Sequence, residues 1–561
     1  MTTITHTQED NMQVHERLAQ IVAQEGVSCH FTLLGDANMY FADSLDALGV
    51  ESIHVRHEHC ACSMAMSYAR ATGDLGFCSV TCGPGVTQLA TALPAAVRAS
   101  IPMVIFAGES PLGKAWYNQQ LDQAPVVRAL GADYIPIHTQ GQMAGKLREA
   151  FLSARLHQKP VVVGIPMDLQ HQEWTGSEEY VPSQQVMPKS ARLHPAPEAV
   201  IEAADLVAAA QKIVLIAGKG AMRAGASEAC AALADQCGAL LATTLPVRGL
   251  FLDHPFDLNV AGGFSSPLAR ELFAEADLII AVGASLTQHM RDAGKLFGAA
   301  KVLQIDIAPK GINQGAVVAD HVLQGDARVA VQKLSETLEE RGVSPSNWRN
   351  AALHERISNT PGDDAEFPND GYLDPRDVIA GLQDVLPKHW EMVNSSGHCS
   401  YFSAQMRGWQ ARNFHVIREF GAIGNGLSYA IGVAAACRDN TVVLIDGDGS
   451  LLMHAQELET IRRHGFKLLI CILNDGAYGS EIHKLRSEGL RDGGAVHGRG
   501  DLGAVARGFG LGGKVFTELS TLGSDLEAFD KGTTSALWDF HVSDLVTSPI
   551  MRQNHPDKRH G

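Results

Sequence analysis

The chain has 561 residues, 45% of them apolar, and a formal net charge of −17. That length predicts three or four domains, each large enough for its own core. The acidic balance, with no basic tract carrying interleaved aromatics, argues against a nucleic-acid groove. No apolar run approaches the roughly 18–20 residues of a membrane span, and the polar start MTTITHTQEDNMQ lacks the apolar core of a secretory signal. The ten cysteines are scattered with no CxxC pair. Cys60 and Cys62, two apart on a predicted helix, face different ways. Free thiols in a reducing cytoplasm are the expected state. Arg499-Gly500-Asp501 and Asn394-Ser395-Ser396 match an adhesion tripeptide and a glycosylation site, but both would need a secreted context.

Residues 1–190 form the first expected domain. A helix over Val14–Glu25 leads to a strand at His30–Leu34 and the turn Gly35-Asp36-Ala37-Asn38. A strand at Ser52–Val55 runs into His57-Glu58-His59 and a helix rich in Ala and Met (Cys60–Ala71). Further strands are expected at Gly76–Thr81, ending in Gly83-Pro84-Gly85-Val86-Thr87, at Pro102–Ala107 and at Val161–Ile165. Strands alternating with helices predict a doubly wound parallel sheet. The polar, Pro-containing stretch Gln170–Pro195 reads as a linker.

The second domain is expected over 191–345, with strands at Ile213–Ala217, Leu240–Thr243, Leu278–Val282 and Val302–Asp306. Gly218-Lys219-Gly220, with Gly283 and Asp306, suits either a nucleotide or ordinary turns at strand ends, because the full dinucleotide fingerprint is missing. Glu340–Asp370 reads as a second linker. The third domain, 365–561, holds the densest signal. An apolar run at Val442–Ile445 breaks on Asp446-Gly447-Asp448-Gly449-Ser450. A helical pattern follows, then a second apolar run at Leu468–Leu473 that ends in Asn474-Asp475-Gly476-Ala477-Tyr478-Gly479. This is a βαβ crossover with both special clusters at the strands' C-terminal ends, where such sheets bind ligands. Glycines there let backbone amides approach a phosphate. Asp448 and Asp475 offer hard oxygens to a divalent cation bridging to it. A last strand is expected at Ala536–Val542.

Gly-Asp-Gly, 24 residues and then Asn-Asp resembles the signature of thiamine diphosphate enzymes. The likeness extends along the chain to the acetolactate synthase, pyruvate oxidase and 2-oxoacid decarboxylase group. Val55–His59 with Tyr68-Ala69-Arg70 resembles its strand–Glu–helix motif. Gly83–Gln88 resembles its GPGxTN, with Gln88 in place of Asn. Thr243–Pro255 and Gly325–Ala327 match its middle domain, and Ile423–Leu427 through Gly432 matches the loop supporting the thiazolium ring. The resemblance implies an α/β chain of three doubly wound domains: pyrimidine-binding, middle and diphosphate-binding.

For individual residues, the resemblance implies that Asp448, Asp475 and the Ala477 carbonyl hold Mg²⁺. Many relatives have Asn at the position of Asp475, so this site carries an extra negative charge. Ser396, Gly397, His398, Gly447, Gly449, Ser450 and Tyr478 would bind the diphosphate end. Gly421 would offer its carbonyl to the 4'-amino group, and Ile423 would hold the cofactor bent. Glu58, beside Gly85, would share a proton with ring N1'; from the residues alone it is equally a dipole-favoured helix N-terminal charge. Asp36 resembles an Asp of pyruvate decarboxylases, as does Glu481 a Glu of those enzymes, although their histidine pair is missing. Each has a plain alternative, Asp36 as a turn or cap residue and Glu481 as a helix N-terminal charge. Tyr117–Asp122 instead resembles the FQExD segment of acetolactate synthases, with Gln119 at the Gln position. The implied activity is a lyase and carboligase working through a C2 ylide and an enamine. A 2-oxoacid is the donor and an aldehyde or ketone the acceptor. The alternatives are an acetolactate synthase-type transferase with a small regulatory subunit, and a cofactor-binding protein without chemistry. FAD in the middle domain is left open. The expected assembly is a homodimer or homotetramer, and the Gly- and charge-rich Arg486–Arg499 reads as a lid over the site.

Overall fold

The computed structural model describes residues 12–177, 179–189, 191–360 and 362–556. Most of the polar N-terminal stretch, Glu178, Ser190, Pro361 and the last five residues lie outside the described residues. The first six strands are β1 (Cys29–Thr32), β2 (Glu51–His54), β3 (Gly76–Val80), β4 (Met103–Glu109), β5 (Asp133–Pro136) and β6 (Pro160–Pro166). They pair in parallel in the order β2-β1-β3-β4-β6-β5. Strands β3 and β6 are buried along their whole length, as expected when helices cover both faces.

The middle sheet is built from β7 (Ile213–Ala217), β8 (Leu240–Thr243), β9 (Asp257–Val260), β10 (Leu278–Val282) and β11 (Lys301–Asp306). A two-stranded antiparallel ribbon, β12 (Ile312–Asn313) and β13 (Ala316–Val317), precedes its last strand, β14 (His321–Gln324). The order is β14-β11-β10-β7-β8-β9. The third sheet comprises β15 (Glu391–Asn394), β16 (Phe414–Val416), β17 (Val442–Gly447), β18 (Leu468–Asn474), β19 (Gly512–Phe516) and β20 (Ala536–His541). Its order, β16-β15-β17-β18-β20-β19, repeats that of the first sheet strand for strand. The expected α/β architecture of three doubly wound parallel sheets is therefore present, and the outer two are topological copies.

The outer sheets are joined through one pair of helices. The helix Glu58–Thr72 is buried on nearly every side, because it lies between its own sheet and the helix Gly426–Ala436. One apolar cluster runs through both units, from Phe31 and Met64 to Ile431 and Ile470. Small residues let the helices approach closely. A Cβ on Gly432 would fall 2.2 Å from the Met64 carbonyl oxygen, so any larger residue would force them apart. Polar contacts pin the same seam: Arg70 is paired with Glu419, and the Arg56 amide donates to Glu457 at 3.0 Å.

Both segments expected as linkers are ordered. The second linker contains a helix, Ala351–Asn359, capped by the Asn350 side chain on the Leu353 amide at 2.9 Å. Leu353 and Ile357, four apart, bury one face of it. The first linker is docked on the first unit. The buried carboxylate of Glu25 accepts from the Tyr180 hydroxyl at 2.5 Å and from the Ser183 amide at 2.7 Å. No described helix is long and apolar enough to cross a membrane.

Candidate functional site

In a sheet of this order the connections leave in opposite directions from the first and third strands, which opens a crevice at their C-terminal ends. In the third sheet that point lies between β15 and β17. Ser396, Gly397 and His398 follow β15, and Gly447–Ser450 follow β17. The turn after β18 brings in Asp475, Ala477 and Tyr478. All of these residues, together with Ile423 and Glu481, line one cleft. The C-terminal segment closes it through Val542, Ser543 and Val546. Gly421 stands outside the lining, at an exposed left-handed position with φ +70°.

The acids of the cleft are under strain from their surroundings. Asp448 is 2% exposed, and burial pushes its carboxyl well above the usual range. Asp475 is raised first by burial and then by the negative charge of Asp448. Among the described residues neither forms an ion pair with Lys or Arg; the partner of Asp448 is His497, whose Nε2 lies 3.0 Å from Oδ2. A divalent cation between the two carboxylates would relieve both penalties, so the donor set fits a metal. The backbone fits a phosphate. Gly397 is left-handed at φ +106°, and a Cβ on Gly479 would come within 2.4 Å of Asp475 Oδ2.

A buried acid outside the expected set fixes the loop above. Asp446, fully buried, accepts from the Gly447 amide at 2.8 Å and from the Ser450 hydroxyl at 3.0 Å. Ser450 Oγ in turn accepts from the Gly424 amide at 2.9 Å, which ties the Ile423 turn to the Asp448 turn. His398 is buried and held neutral, its pKa lowered by burial and then by His483, whose ring lies 4.6 Å away. Its Nε2 accepts from the Ser548 amide at 3.2 Å. Ser396 Oγ donates to the Ile417 carbonyl at 2.7 Å. Tyr478 is 41% exposed, and its ring lies 5.4 Å from that of His497. Glu481 sits on the rim with Lys484 at 3.4 Å.

Sequence reasoning missed Asp446 and His497. The first carried a signal, since it adjoins the glycine motif. The second lies in the stretch read as a lid, and that stretch is anchored. Val496 pairs with Ala477, the His497 amide donates to the Gly476 carbonyl at 2.8 Å, and Arg486 holds Asp492 and Asp544 at 2.6 Å.

The remaining candidates gather at the equivalent crevice of the first sheet, outside this cleft. Glu58 opens the helix that follows β2 and is half-buried; among the described residues its carboxylate accepts no side-chain or backbone hydrogen bond. Gly85 is its neighbour, since a Cβ there would lie 3.6 Å from Glu58 Oε1. Asp36 is exposed and accepts from the Tyr117 hydroxyl at 3.2 Å. Gln119 Oε1 accepts from the Cys82 thiol at 3.5 Å. The Asp36 turn and the Tyr117–Asp122 segment thus meet, although each resembles a different subgroup. Asn38, completely buried, braces the turn by donating to the Leu33 carbonyl at 3.1 Å.

Beside Glu58, a histidine cluster crosses to the third sheet. His59 Nε2 lies 2.5 Å from Asn425 Oδ1, and its ring stacks on His454 at 4.8 Å. Burial above all lowers both histidines to about 4. In the unfolded chain each takes a proton below its ordinary value near 6.5, while the folded seam refuses one until about pH 4. Stability is therefore full above pH 6.5 and falls as the pH drops toward 4, by about 1.4 kcal/mol per pH unit for the buried His59 and less for His454. Urea midpoints measured from pH 7.5 to 5 are expected to fall accordingly, with a shallower slope in His59→Gln. Equal slopes would detach the effect from His59.

In the middle sheet the proposed nucleotide turns touch each other. The Gly220 amide donates to the Gly283 carbonyl at 2.9 Å, Lys219 reaches the Ala99 carbonyl of the first unit, and Asp306 accepts from the Ala308 amide at 3.0 Å.

Residues 12–126, 200–334 and 395–538 match the family models described as thiamine pyrophosphate enzyme, N-terminal TPP binding domain, central domain and C-terminal TPP binding domain. The chain is similar to the acetolactate synthase large subunit of Parasynechococcus marenigrum (strain WH8102), at 29% identity over 94% of this chain and 86% of that one. It is 30% identical to the acetolactate synthase isozyme 2 large subunit of Escherichia coli (strain K12), over 81% of each chain. To the chloroplastic acetolactate synthase 1 of Oryza sativa subsp. japonica it is 28% identical over 83% of this chain and 73% of that one.

Proposed function

The chain belongs to the thiamine pyrophosphate enzymes of the acetolactate synthase and pyruvate oxidase group, and on that premise we propose that it is a Mg²⁺-dependent 2-oxoacid decarboxylase and carboligase, cytoplasmic and oligomeric. The observation that carries this reading is the cleft itself, where a repelling carboxylate pair, glycine turns and Ile423 converge at one topological switch point. Asp448, Asp475 and the Ala477 carbonyl hold Mg²⁺. Ser396, Gly397, His398 and the Gly447–Ser450 turn receive the diphosphate, with Tyr478 at its edge. Ile423, positioned through Gly424, Ser450 and Asp446, would support the rings, and the Gly421 carbonyl would accept from the 4'-amino group. When bound, thiamine diphosphate would supply an acidic thiazolium carbon as a nucleophile and an electron sink for decarboxylation.

Glu58, next to Gly85, would share a proton with ring N1'. Asp36 and Glu481 would hold or move protons at the substrate, and the Gln119 amide would hydrogen-bond it. Because Asp36, Glu58, Gly85 and Gln119 do not line the cleft of their own chain, a complete site takes the first unit of one chain and the third unit of another, in a homodimer or a pair of dimers. The middle sheet has the strand order of dinucleotide-binding units, and the visible spectrum of purified protein decides whether it carries FAD.

A second reading, an acetolactate synthase-type transferase, is favoured by the Tyr117–Asp122 segment and by the names of the similar proteins. Product analysis separates the two. A panel of pyruvate, longer aliphatic and aromatic 2-oxoacids, with and without an aldehyde acceptor, is expected to give aldehyde and acyloin. A 2-hydroxy-2-alkyl-3-oxoacid as the main product establishes the second reading. No turnover of any 2-oxoacid overturns both.

A further inference from the structure

Apart from the cleft, a second cavity of about 290 Å³ lies where the middle and third units meet. Its walls are the loop from Arg248 to Asn259, the helix Ala351–Asn359 through His354, and the Arg407–Trp409 stretch ahead of β16. Its volume is near the lower end of small-molecule sites, which run from roughly 300 Å³ upward.

What sets it apart is a buried cation that no side chain or carbonyl hydrogen-bonds, its nearest opposite charge being Asp257 in the same wall. Arg248 is 2% exposed, and its guanidinium lies 4.5 Å over the Phe414 ring. Its Nε and Nη1 have no hydrogen-bond partner, and among the described residues no carboxylate pairs with it. Arginine cannot escape by losing its proton as lysine can. An isolated buried charge costs several kcal/mol (on the order of a Born penalty softened by relaxation) unless an oxyanion or ordered water meets it. A second orphan faces the same cavity: Asn259, 6% exposed and held at φ +68°, leaves its Nδ2 without a partner. Arg407 adds a second guanidinium to the wall.

Asp257 attracts both guanidiniums but hydrogen-bonds neither. Asp257 Oδ1 is taken by the Asn259 amide at 2.9 Å, and burial raises its carboxyl to about 6. Asp253 is at the exposed rim. His254 is committed on both nitrogens, to Asp235 at 3.0 Å and to the Phe256 amide at 3.1 Å. The donors without a protein partner are therefore N–H groups of Arg248 and Asn259, two residues of the same cavity wall. The loop carrying them is rigidly seated, since a Cβ on Gly249 would fall 2.1 Å from the Trp409 carbonyl oxygen.

We propose that this cavity is a binding site for a small oxyanion, a carboxylate or a phosphate, held by Arg248 and Asn259 between the middle and third units. It is separate from the diphosphate cleft, with which it shares no lining residue.

The test is calorimetric titration of enzyme already saturated with thiamine diphosphate and Mg²⁺, so that added anions cannot fill the diphosphate cleft. Inorganic phosphate and acetate are titrated separately, against sodium chloride at matched ionic strength. At least one is expected to bind once per chain, and which one does assigns the class. Arg248→Met keeps the volume and removes the charge. Asn259→Asp keeps the size and tolerates the left-handed backbone, but replaces a donor with an acceptor. Each is expected to weaken binding at least about tenfold, the scale of a lost charge-assisted hydrogen bond, while thiamine diphosphate affinity stays unchanged. If Arg248→Met fails to fold, Asn259→Asp alone decides. No binding of either anion below about 10 mM, or equal affinity in the variants, overturns the assignment.

Discussion

Asp448→Ala abolishes tight binding of thiamine diphosphate and, with it, activity. Asp448 and Asp475 face each other inside the cleft, and both carboxyls are pushed up, by burial first. Only a bridging cation makes that arrangement favourable, and the same cation neutralises the incoming diphosphate. Losing a direct ligand is expected to weaken cofactor binding by at least about 100-fold, beyond what supporting residues usually cost. The apo-protein should be no less stable than wild type, because the substitution also removes a buried charge and relieves Asp475. Calorimetry with Mg²⁺, paired with thermal melts with and without cofactor, separates these effects, since ligand that binds only the folded state raises the melting point. Normal thiamine diphosphate affinity in the presence of EDTA would contradict the metal assignment.

Glu58→Gln leaves the fold and cofactor affinity intact but slows deuterium exchange at the thiazolium C2 by at least ~10²-fold, the scale of a lost acid–base group. The side chain is half-buried and, among the described residues, accepts no hydrogen bond. Its structural cost is therefore confined to the helix N-terminus, about 0.3–1 kcal/mol. A merely structural Glu58 would lower the melting point and leave the exchange rate alone. Exchange measured by NMR after acid quench reads the difference, and an unchanged rate removes Glu58 from the mechanism.

The parts of the molecule visible in the sequence are those where one local rule acts alone. Val442–Asp448 and Leu468–Asp475 announce themselves because buried central strands are continuous apolar runs, and glycines mark their ends. The strands that escaped notice are mostly at sheet edges: β5, β9, β14, β16 and β19 all occupy outer positions. They are three to five residues long and pair on one side only, so neither length nor pattern lifts them above loop. The helix Ala351–Asn359 was hidden in a polar stretch because only Leu353 and Ile357 bury a face. Of the site, the glycine turns and acids were legible, whereas His497 and the pairing of Asp36 with Tyr117 depend on chain segments far apart in sequence. The repeat of one strand order in the outer sheets leaves no trace in residue identity, since order is set by how helices pack rather than by any single residue.

That each site joins two chains is tested most directly by mixing the two inactive variants, Glu58→Gln and Asp448→Ala, after reversible dissociation. A mixed dimer contains one site with Glu58 from the second variant and Asp448 from the first, and another site with both defects. Random exchange makes half the dimers mixed, so the mixture is expected to recover about one quarter of wild-type activity. No recovered activity, with subunit exchange confirmed by mass spectrometry, would mean that Glu58 and Asp448 of the same chain serve one site.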